Sequence, residues 1–180
     1  MSKRGESYFI MIETKNLILK EYEEKYIKQA HDNFFSSYET AKYVLWKPTK
    51  TPIEVKEKIE YWLNEVKVSI FYLIHTKDND EPIGFVCVNE TSPNVYSNLG
   101  IAIGENYVNK GYGKEVLTTL IEYIKSKGGK EIHYSHFKEN EPSKRLAMKC
   151  GFEYVKQDKR TRRYDNKEFE ELYYILKLDK

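Results

Sequence analysis

The most regular apolar pattern in the chain predicts a helix that begins near Gly113. Its apolar residues recur at intervals of three and four, which places them on one face of a helix. They are Val116, Leu117, Leu120, Ile121 and Ile124. The pair Gly128-Gly129 is typical of a helix C-terminus, where glycine accepts a left-handed conformation. This helix is therefore expected to pack its apolar face against a sheet.

Two further helices are predicted from the residues at their boundaries. The motif TPIE at residues 51–54 combines an N-cap, a proline at the first helical position and a glutamate that completes a capping box. The helix that follows is expected to reach about Val66. A short helix is predicted at residues 142–150 and stopped by Gly151. Weaker helical spacing marks residues 22–34, followed by a segment expected to hold a short helix and a loop.

Seven stretches rich in alternating or β-branched apolar residues predict strands. They cover residues 14–20, 69–75, 82–90, 96–104, 131–137, 152–163 and 168–178. Turn signals at Asp78-Asn79-Asp80 and Asp165-Asn166 make two of the pairs hairpins. The order of elements predicts an α/β fold with a mixed, mostly antiparallel sheet and helices on both faces. We expect one domain over residues 11–180 and a loose leader at residues 1–10.

Composition narrows the classes of function. The 180 residues are 40% apolar and 32% charged with a net charge of +2, which argues against a dedicated nucleic-acid binder. Cys87 and Cys150 are far apart and form no CxxC motif, so neither a disulfide framework nor a structural zinc site is expected. The chain has no apolar run long enough to span a bilayer and no secretion-signal pattern at its start. These features predict a cytoplasmic protein without a bound metal.

A glycine-rich segment at the start of the main helix suggests anion binding. Gly111 and Gly113 allow a tight turn and a close approach to backbone N–H groups, and Lys110 and Lys114 flank them. The alternative is an ordinary strand-to-helix turn with solvated lysines. Neither the Walker loop nor the dinucleotide fingerprint fits, because required glycine and hydroxyl positions hold other residues.

Two sequence blocks carry a resemblance to a known family. The segment NLGIAIGENYVNKGYGKEVLTTLIEYI at residues 98–124 resembles the acetyl-CoA-binding segment of the GNAT superfamily of acyl-CoA N-acyltransferases. Residues 140–152 contain N-x-x-S followed by K-x-G-F, which resembles the branch that includes the ribosomal-protein alanine N-acetyltransferases. The separation of the blocks and the order of elements agree with that superfamily over nearly the whole chain.

The resemblance implies a GNAT-like fold, acetyl-CoA as cosubstrate and no metal. It implies that the backbone of residues 108–114 holds the pyrophosphate, that residues 99–103 pair with the pantetheine arm, and that Asn140 and Ser143 lie near the thiol. The implied cofactor-binding residues are Leu99, Ile101, Ala102, Ile103, Val108, Asn109, Lys110, Gly111, Tyr112, Gly113, Lys114, Asn140 and Ser143. Two positions depart from the family pattern. Val108 replaces a common Gln or Arg, and Ala147 replaces a tyrosine proposed to protonate the departing thiolate.

Acetyl transfer needs a group that deprotonates the amine and a group that assists the thiolate. Ser143 is a candidate for the thiolate, with a helix cap as the alternative role. Glu170 and Glu90 are candidates near the acceptor, with exposed strand positions as the alternative. His75 and His136 are better explained as structural histidines.

The sequence therefore predicts an N-acetyltransferase that acts on a primary amine, either a protein N-terminus or a small polar molecule, by direct attack. One alternative is a coenzyme A-binding sensor domain with weak or no activity. Another is an RNA-associated module, suggested by the basic residues of the final hairpin, although nearby acids dilute that patch and argue against it. A homodimer is possible, and no membrane partner is expected.

Overall fold

The computed structural model describes residues 11–178, so the leader expected at residues 1–10 lies outside the described part. Its strands are β1 (Met11–Glu13), β2 (Leu17–Lys20), β3 (Ile70–Thr76), β4 (Pro82–Ser92), β5 (Val95–Ile103), β6 (Glu131–Phe137), β7 (Glu153–Arg162) and β8 (Lys167–Lys177). They form one sheet in the order β1-β2-β3-β4-β5-β6-β8-β7. Only the β5–β6 pair is parallel among the described strands. The predicted mixed, mostly antiparallel sheet is confirmed.

The helices fill the connections between these strands. They are α1 (Ile27–Ala30), α2 (Tyr38–Ala41), α3 (Pro52–Asn64), α4 (Tyr112–Ser126) and α5 (Glu141–Lys149). The predicted N-cap of α3 is confirmed, because the Thr51 hydroxyl accepts a hydrogen bond from the Glu54 N–H at 3.3 Å. The Glu54 carboxylate accepts from the Lys50 N–H at 2.8 Å, one residue earlier than a standard capping box.

Two predictions near the N-terminus need correction. The strand expected at residues 14–20 is interrupted by a turn in which the Thr14 N–H donates to the Leu17 carbonyl at 2.9 Å. The helix expected at residues 22–34 is a 3₁₀ turn, the four residues of α1 and a π-helical turn at His31–Phe35. Phe34 and Phe35 are both fully buried. Tertiary packing of these neighbours outweighs the local preference for one continuous helix.

The two faces of the sheet carry separate cores. On one side, which we call the α4 face, strand residues such as Val86, Ile132 and Leu172 pack with α4 and α5. On the other side, the α3 face, Phe71 and Phe85 pack with α1 and α3. Because strand side chains alternate between faces, each strand position can be assigned to one of them.

The sheet opens between its two parallel strands. β5 and β6 pair at Val95, Tyr96 and Leu99, and Leu99 faces Tyr134 as their last paired position. Beyond it, β5 stays paired with β4 as far as Ile103, while β6 stays paired with β8 as far as Phe137. Asn98 has a φ of 56° at a shift in register, which bends β5 at this point. The result is an opening in the sheet, bordered by the free edge of β5 after Leu99 and by β6.

Candidate active site

The first turn of α4 lies beside the opening and has no side-chain cap. Gly111 is its N-cap residue, and no side chain accepts from the N–H groups of the first turn. α2, α3 and α5 are instead capped by Ser37, Thr51 and Asn140. The first N–H groups of a helix have no partner within the helix. Those of α4 are therefore free to bind an anion, and the helix dipole favours negative charge there.

The two glycines of this turn are needed for different reasons. Gly111 has a φ of 82°, a left-handed conformation that glycine adopts without strain. Gly113 has ordinary helical geometry, and a Cβ at this position would meet Leu146 Cδ2 at 3.6 Å and Ile103 Cδ1 at 3.9 Å. Those are normal van der Waals distances, so the folded chain itself tolerates a side chain at position 113. The absence of a Cβ leaves space for a group outside the chain to approach the backbone.

Side-chain contacts hold this turn in place. The carboxylate of Glu115 accepts hydrogen bonds from the Asn16 N–H at 2.6 Å, from Asn16 Nδ2 at 2.8 Å and from the Thr14 hydroxyl. Burial alone would raise the pKa of Glu115, but these hydrogen bonds hold that pKa below its usual value. On the other side, the Ser37 hydroxyl donates to the Glu105 carboxylate at 2.7 Å. The loop before α4 is thus fixed at both ends.

The predicted cofactor-binding residues fall into two neighbouring groups. Residues 108–111 form an exposed turn that leads into α4, with Asn109 also left-handed at a φ of 62°. Leu99, Ile101 and Ile103 point to the α4 face and Ala102 to the α3 face. Ile103 Cδ1 would lie 3.9 Å from a Cβ at position 113, so Ile103 is next to the start of α4. The loop and the free edge of β5 therefore meet at the opening.

Asn140 and Ser143 begin α5, which packs on the same face. The Asn140 side chain caps the helix by accepting from the Ser143 N–H at 3.1 Å. The Ser143 hydroxyl is 2.6 Å from the hydroxyl of Tyr134 on β6. Burial raises the pKa of Tyr134 to about 12, so its phenol stays protonated and can donate. Sequence reasoning missed Tyr134 because a strand tyrosine carries no motif and the chain has 16 tyrosines.

Ala147 and Glu90 also have clear places. Ala147 is fully buried between α5 and the sheet, so the family's tyrosine position is filled by core packing here.

Glu90 pairs with Tyr96 at the closed end of β5, and its carboxylate accepts from the Asn94 N–H at 2.8 Å in the hairpin turn. The strand from Tyr96 to Ile103 spans about 20 Å. Glu90 thus lies at the end of β5 away from Ile103, and its role as an acceptor-site acid stays a prediction.

Glu170 and its neighbour Glu171 point to opposite faces of β8. Leu172 and Tyr174 belong to the α4-face core, so Glu170 shares that side of the strand. Its carboxylate forms an ion pair with Lys138 at the surface. Glu171 points to the α3 face, is 8% exposed, and pairs across the sheet with Phe137. The two acids therefore occupy opposite faces of the sheet, because neighbouring residues of a strand alternate between faces. The acceptor role of Glu170 stays a prediction.

The histidines considered as bases have structural hydrogen-bond partners, and the thiol of Cys87 has a raised pKa. His136 bonds to the Phe137 carbonyl at 2.8 Å and to the Tyr174 hydroxyl at 3.2 Å, and burial lowers its pKa. His75 bonds to the Asp80 carbonyl at 3.0 Å and has a pKa lowered by burial. Burial raises the pKa of Cys87 to about 11, which disfavours the thiolate.

Two structural features are absent from the described part of the chain, a cluster of metal-ligating side chains and a membrane-spanning helix. Residues 11–178 contain no group of three or more His, Cys, Asp or Glu side chains arranged to hold a metal ion. No helix in this range is long and apolar enough to cross a membrane.

Comparisons with known structures agree on the fold. An acetyltransferase of the GNAT family from Bacillus anthracis superposes with a TM-score of 0.81 at 20% identity, over 95% of this chain and 100% of that chain. RimL, a ribosomal L7/L12 alpha-N-protein acetyltransferase in complex with coenzyme A, gives 0.79 at 16% identity over 93% and 98%. The microcin C7 self-immunity acetyltransferase MccE, in complex with acetyl-CoA and AMP, gives 0.77 at 17% identity over 91% and 93%.

Comparison with sequence families identifies the chain more directly. Curated protein sequences give no significant match. A family model described as acetyltransferase (GNAT) domain matches residues 16–153. This range includes the turn at residues 108–111 before α4, which we call the α4 loop, together with the opening and the start of α5. The resemblance stated from the sequence is confirmed. Because the matched segment exceeds half of the chain, the protein belongs to the GNAT acetyltransferase domain family.

Proposed function

We propose that this protein transfers an acetyl group from acetyl-CoA to a primary amine by direct attack. The observation that carries the proposal is the start of α4, where uncapped N–H groups and the Cβ-free Gly113 lie beside the opening in the sheet. Membership of the GNAT family supports acetyl-CoA as the cosubstrate. RimL with coenzyme A and MccE with acetyl-CoA are consistent with this assignment.

In this proposal acetyl-CoA binds along the groups that border the opening. The N–H groups of residues 108–114 bind the pyrophosphate, and the Lys110 and Lys114 ammonium groups add charge complementarity. The free edge of β5 after Leu99 offers backbone groups for the pantetheine amides, as an added strand would. The thioester then lies near Ser143 at the start of α5.

In this proposal, groups of the chain stabilise the charges that develop on the oxygen and the sulfur of the thioester. The amine nitrogen attacks the thioester carbonyl, and a backbone N–H near Ile103 stabilises the oxyanion. The C–N bond forms, the C–S bond breaks, the nitrogen loses one proton to solvent, and the departing thiolate gains one. We assign Tyr134 as the donor in its 2.6 Å contact with Ser143, so that the Ser143 proton can pass to the departing sulfur while the Tyr134 proton replaces it. Solvent returns the proton to Tyr134 after the products leave. Ser143 in this way takes over the role left empty by Ala147.

The acceptor we propose is an amine, with a peptide N-terminus favoured over a lysine side chain. An α-amino group has a pKa near 8 and loses its proton more readily than a lysine ammonium with a pKa near 10. An alcohol would need a stronger activating set of residues than the opening contains. RimL is an alpha-N-protein acetyltransferase, which fits the same choice. We further propose that residues 11–180 act as one domain in the cytoplasm.

Two measurements test this function. Calorimetry with acetyl-CoA tests cosubstrate binding, and a thiol-release assay tests turnover over peptides with free or blocked N-termini, polyamines, amino sugars and alcohols. We expect micromolar-range binding typical of substrates and turnover that rises with pH as the acceptor deprotonates. Binding without turnover on every amine would favour the sensor alternative, and absence of acetyl-CoA binding would refute the proposal.

A further inference from the structure

The Glu171 carboxylate lies on the α3 face of the sheet and has no direct counterion in the described part of the chain. Glu171 is 8% exposed, and no lysine, arginine or histidine nitrogen among residues 11–178 lies within 4.0 Å of its oxygens. A carboxylate buried to this extent is costly unless a cation or several hydrogen bonds compensate it. Its presence therefore needs an explanation.

Two hydroxyl groups donate hydrogen bonds to this carboxylate, which has the capacity to accept more. Ser135 Oγ donates to Oε1 at 2.7 Å, and Tyr173 OH donates to Oε2 at 2.7 Å. Burial and the Glu171 charge raise the pKa of Tyr173 to about 12, which keeps the phenol a donor. Each carboxylate oxygen can accept about two hydrogen bonds. One position on each oxygen thus remains free within the described chain.

Several of the charged side chains around Glu171 pair with other groups. Asp158 faces Glu171 across the β7–β8 pair, and Lys156 lies 3.7 Å from Asp158 and 5.1 Å above the Tyr173 ring. His133, on β6, pairs with Glu131. Arg160 on β7 lies near Tyr173, and His136 on β6 lies near Glu171, but no ion pair within 4.0 Å joins either of them to the Glu171 carboxylate. Glu171 therefore has no direct counterion on the described strands, and a cation from outside the chain can take that place.

The position of Glu171 relates it to the opening. It pairs with Phe137 on β6, the strand that borders the opening, and the spacing between paired strands is about 4.8 Å. Its side chain points to the α3 face, whereas the α4 loop and Gly113 lie on the α4 face. A thioester that enters the opening from the loop side would meet an acceptor that arrives from the side of Glu171.

We propose that Glu171, held by Ser135 and Tyr173, is the binding site for the ammonium group of the acceptor. A primary ammonium carries three donors and one positive charge, which match two free acceptor positions and an uncompensated negative charge. The proposal rests on the proposed acetyl transfer and adds which residue recognises the acceptor. It predicts that acceptors without an ammonium group bind weakly.

The main test compares Glu171→Gln with the wild type, using amines from the acceptor panel. Glutamine keeps the shape but removes the charge, and it replaces one acceptor oxygen with an NH₂ donor. We expect the acceptor KM to rise at least tenfold, while the KM for acetyl-CoA stays unchanged. Glu168→Gln, an exposed acid on the same strand, is the matched control and should leave both values unchanged. A rise in acceptor KM for Glu170→Gln but not for Glu171→Gln would overturn the assignment.

A second measurement does not depend on turnover. Removal of an uncompensated buried charge should raise the thermal midpoint of the free protein by a few degrees, whereas loss of a structural carboxylate would lower it. Amines that raise the midpoint of the wild type without acetyl-CoA should have no effect on Glu171→Gln. Should that variant fold poorly, Tyr173→Phe removes one of the two donors and should raise the acceptor KM severalfold.

The outcomes separate the two proposals. Acceptor kinetics equal to wild type in Glu171→Gln, with active wild type, refute the ammonium site and leave the acetyltransferase function standing. Amines that stabilise the wild type through Glu171 but are never acetylated refute the function and keep the site. No stabilisation and no acetylation by any amine refute both.

Discussion

Replacement of Gly113 by alanine should separate folding from cosubstrate binding. The Cβ of an alanine at this position would meet only Leu146 and Ile103, at 3.6 and 3.9 Å, so alanine fits without displacing a neighbour. Alanine in place of glycine within a helix stabilises it by about 0.5–1 kcal/mol, and the gain is smaller at the second helical position. We therefore expect the midpoint of thermal unfolding to stay the same or to rise by about 1–2 °C.

Acetyl-CoA binding should change in the opposite direction. A Cβ at position 113 occupies the space through which a phosphate would approach the uncapped N–H groups. Loss of one hydrogen bond to a charged group costs about 1.5–3 kcal/mol, which corresponds to a roughly tenfold to hundredfold weaker Kd. Gly113→Trp should abolish measurable binding while the circular dichroism spectrum stays native.

Calorimetry with acetyl-CoA and thermal unfolding together test this reasoning. Gly111→Ala is the matched control, because Gly111 has open space around it but a left-handed φ of 82°. That variant should lose about 1–2 kcal/mol of stability through backbone strain, the opposite sign from Gly113→Ala. An affinity of Gly113→Ala within about threefold of the wild type would show that no phosphate approaches this residue.

Three further predictions address the rest of the site and its support. Ser143→Ala should lower turnover by on the order of tenfold to a hundredfold with unchanged acetyl-CoA affinity; unchanged turnover would show that water or another residue protonates the thiolate. Arg162 is 2% exposed and donates to Asp165 and to the Lys42 carbonyl. Arg162→Met should therefore lower the free energy of unfolding, measured with urea, by about 2–4 kcal/mol. The exposed Arg163 provides the control, and Arg163→Met should leave the free energy of unfolding unchanged. Glu115 has a lowered pKa in the folded state, so its contribution to stability is present above the unfolded pKa of about 4.3 and is lost as the pH falls through the folded value. Glu115→Gln should therefore be less stable than the wild type at pH 7, and the difference should shrink below about pH 4; a gap independent of pH would contradict this account.

Local signals in the sequence determined much of the architecture. The N-cap of α3, the apolar stripe of α4, the left-handed Gly111 and the turn at Asp165 all depend on residues within a few positions of one another. Hydrogen bonds and rotamer preferences at that range act in the same way in any fold. For the same reason the residues of the glycine-rich loop before α4 predict a candidate anion site without reference to the rest of the fold.

The tertiary structure decided which residues meet at the opening. Strand pairing between distant segments set where β5 leaves β6 and which face Glu170 and Glu171 occupy, and a register shift of one residue would have exchanged them. The contact between Ser143 and Tyr134 also depends on how α5 docks against β6, which no local motif encodes. The sequence by itself determined the helix starts, turns and glycine loop, because short-range forces specify them. Long-range register and packing decided where the sheet opens and which faces Glu170 and Glu171 occupy.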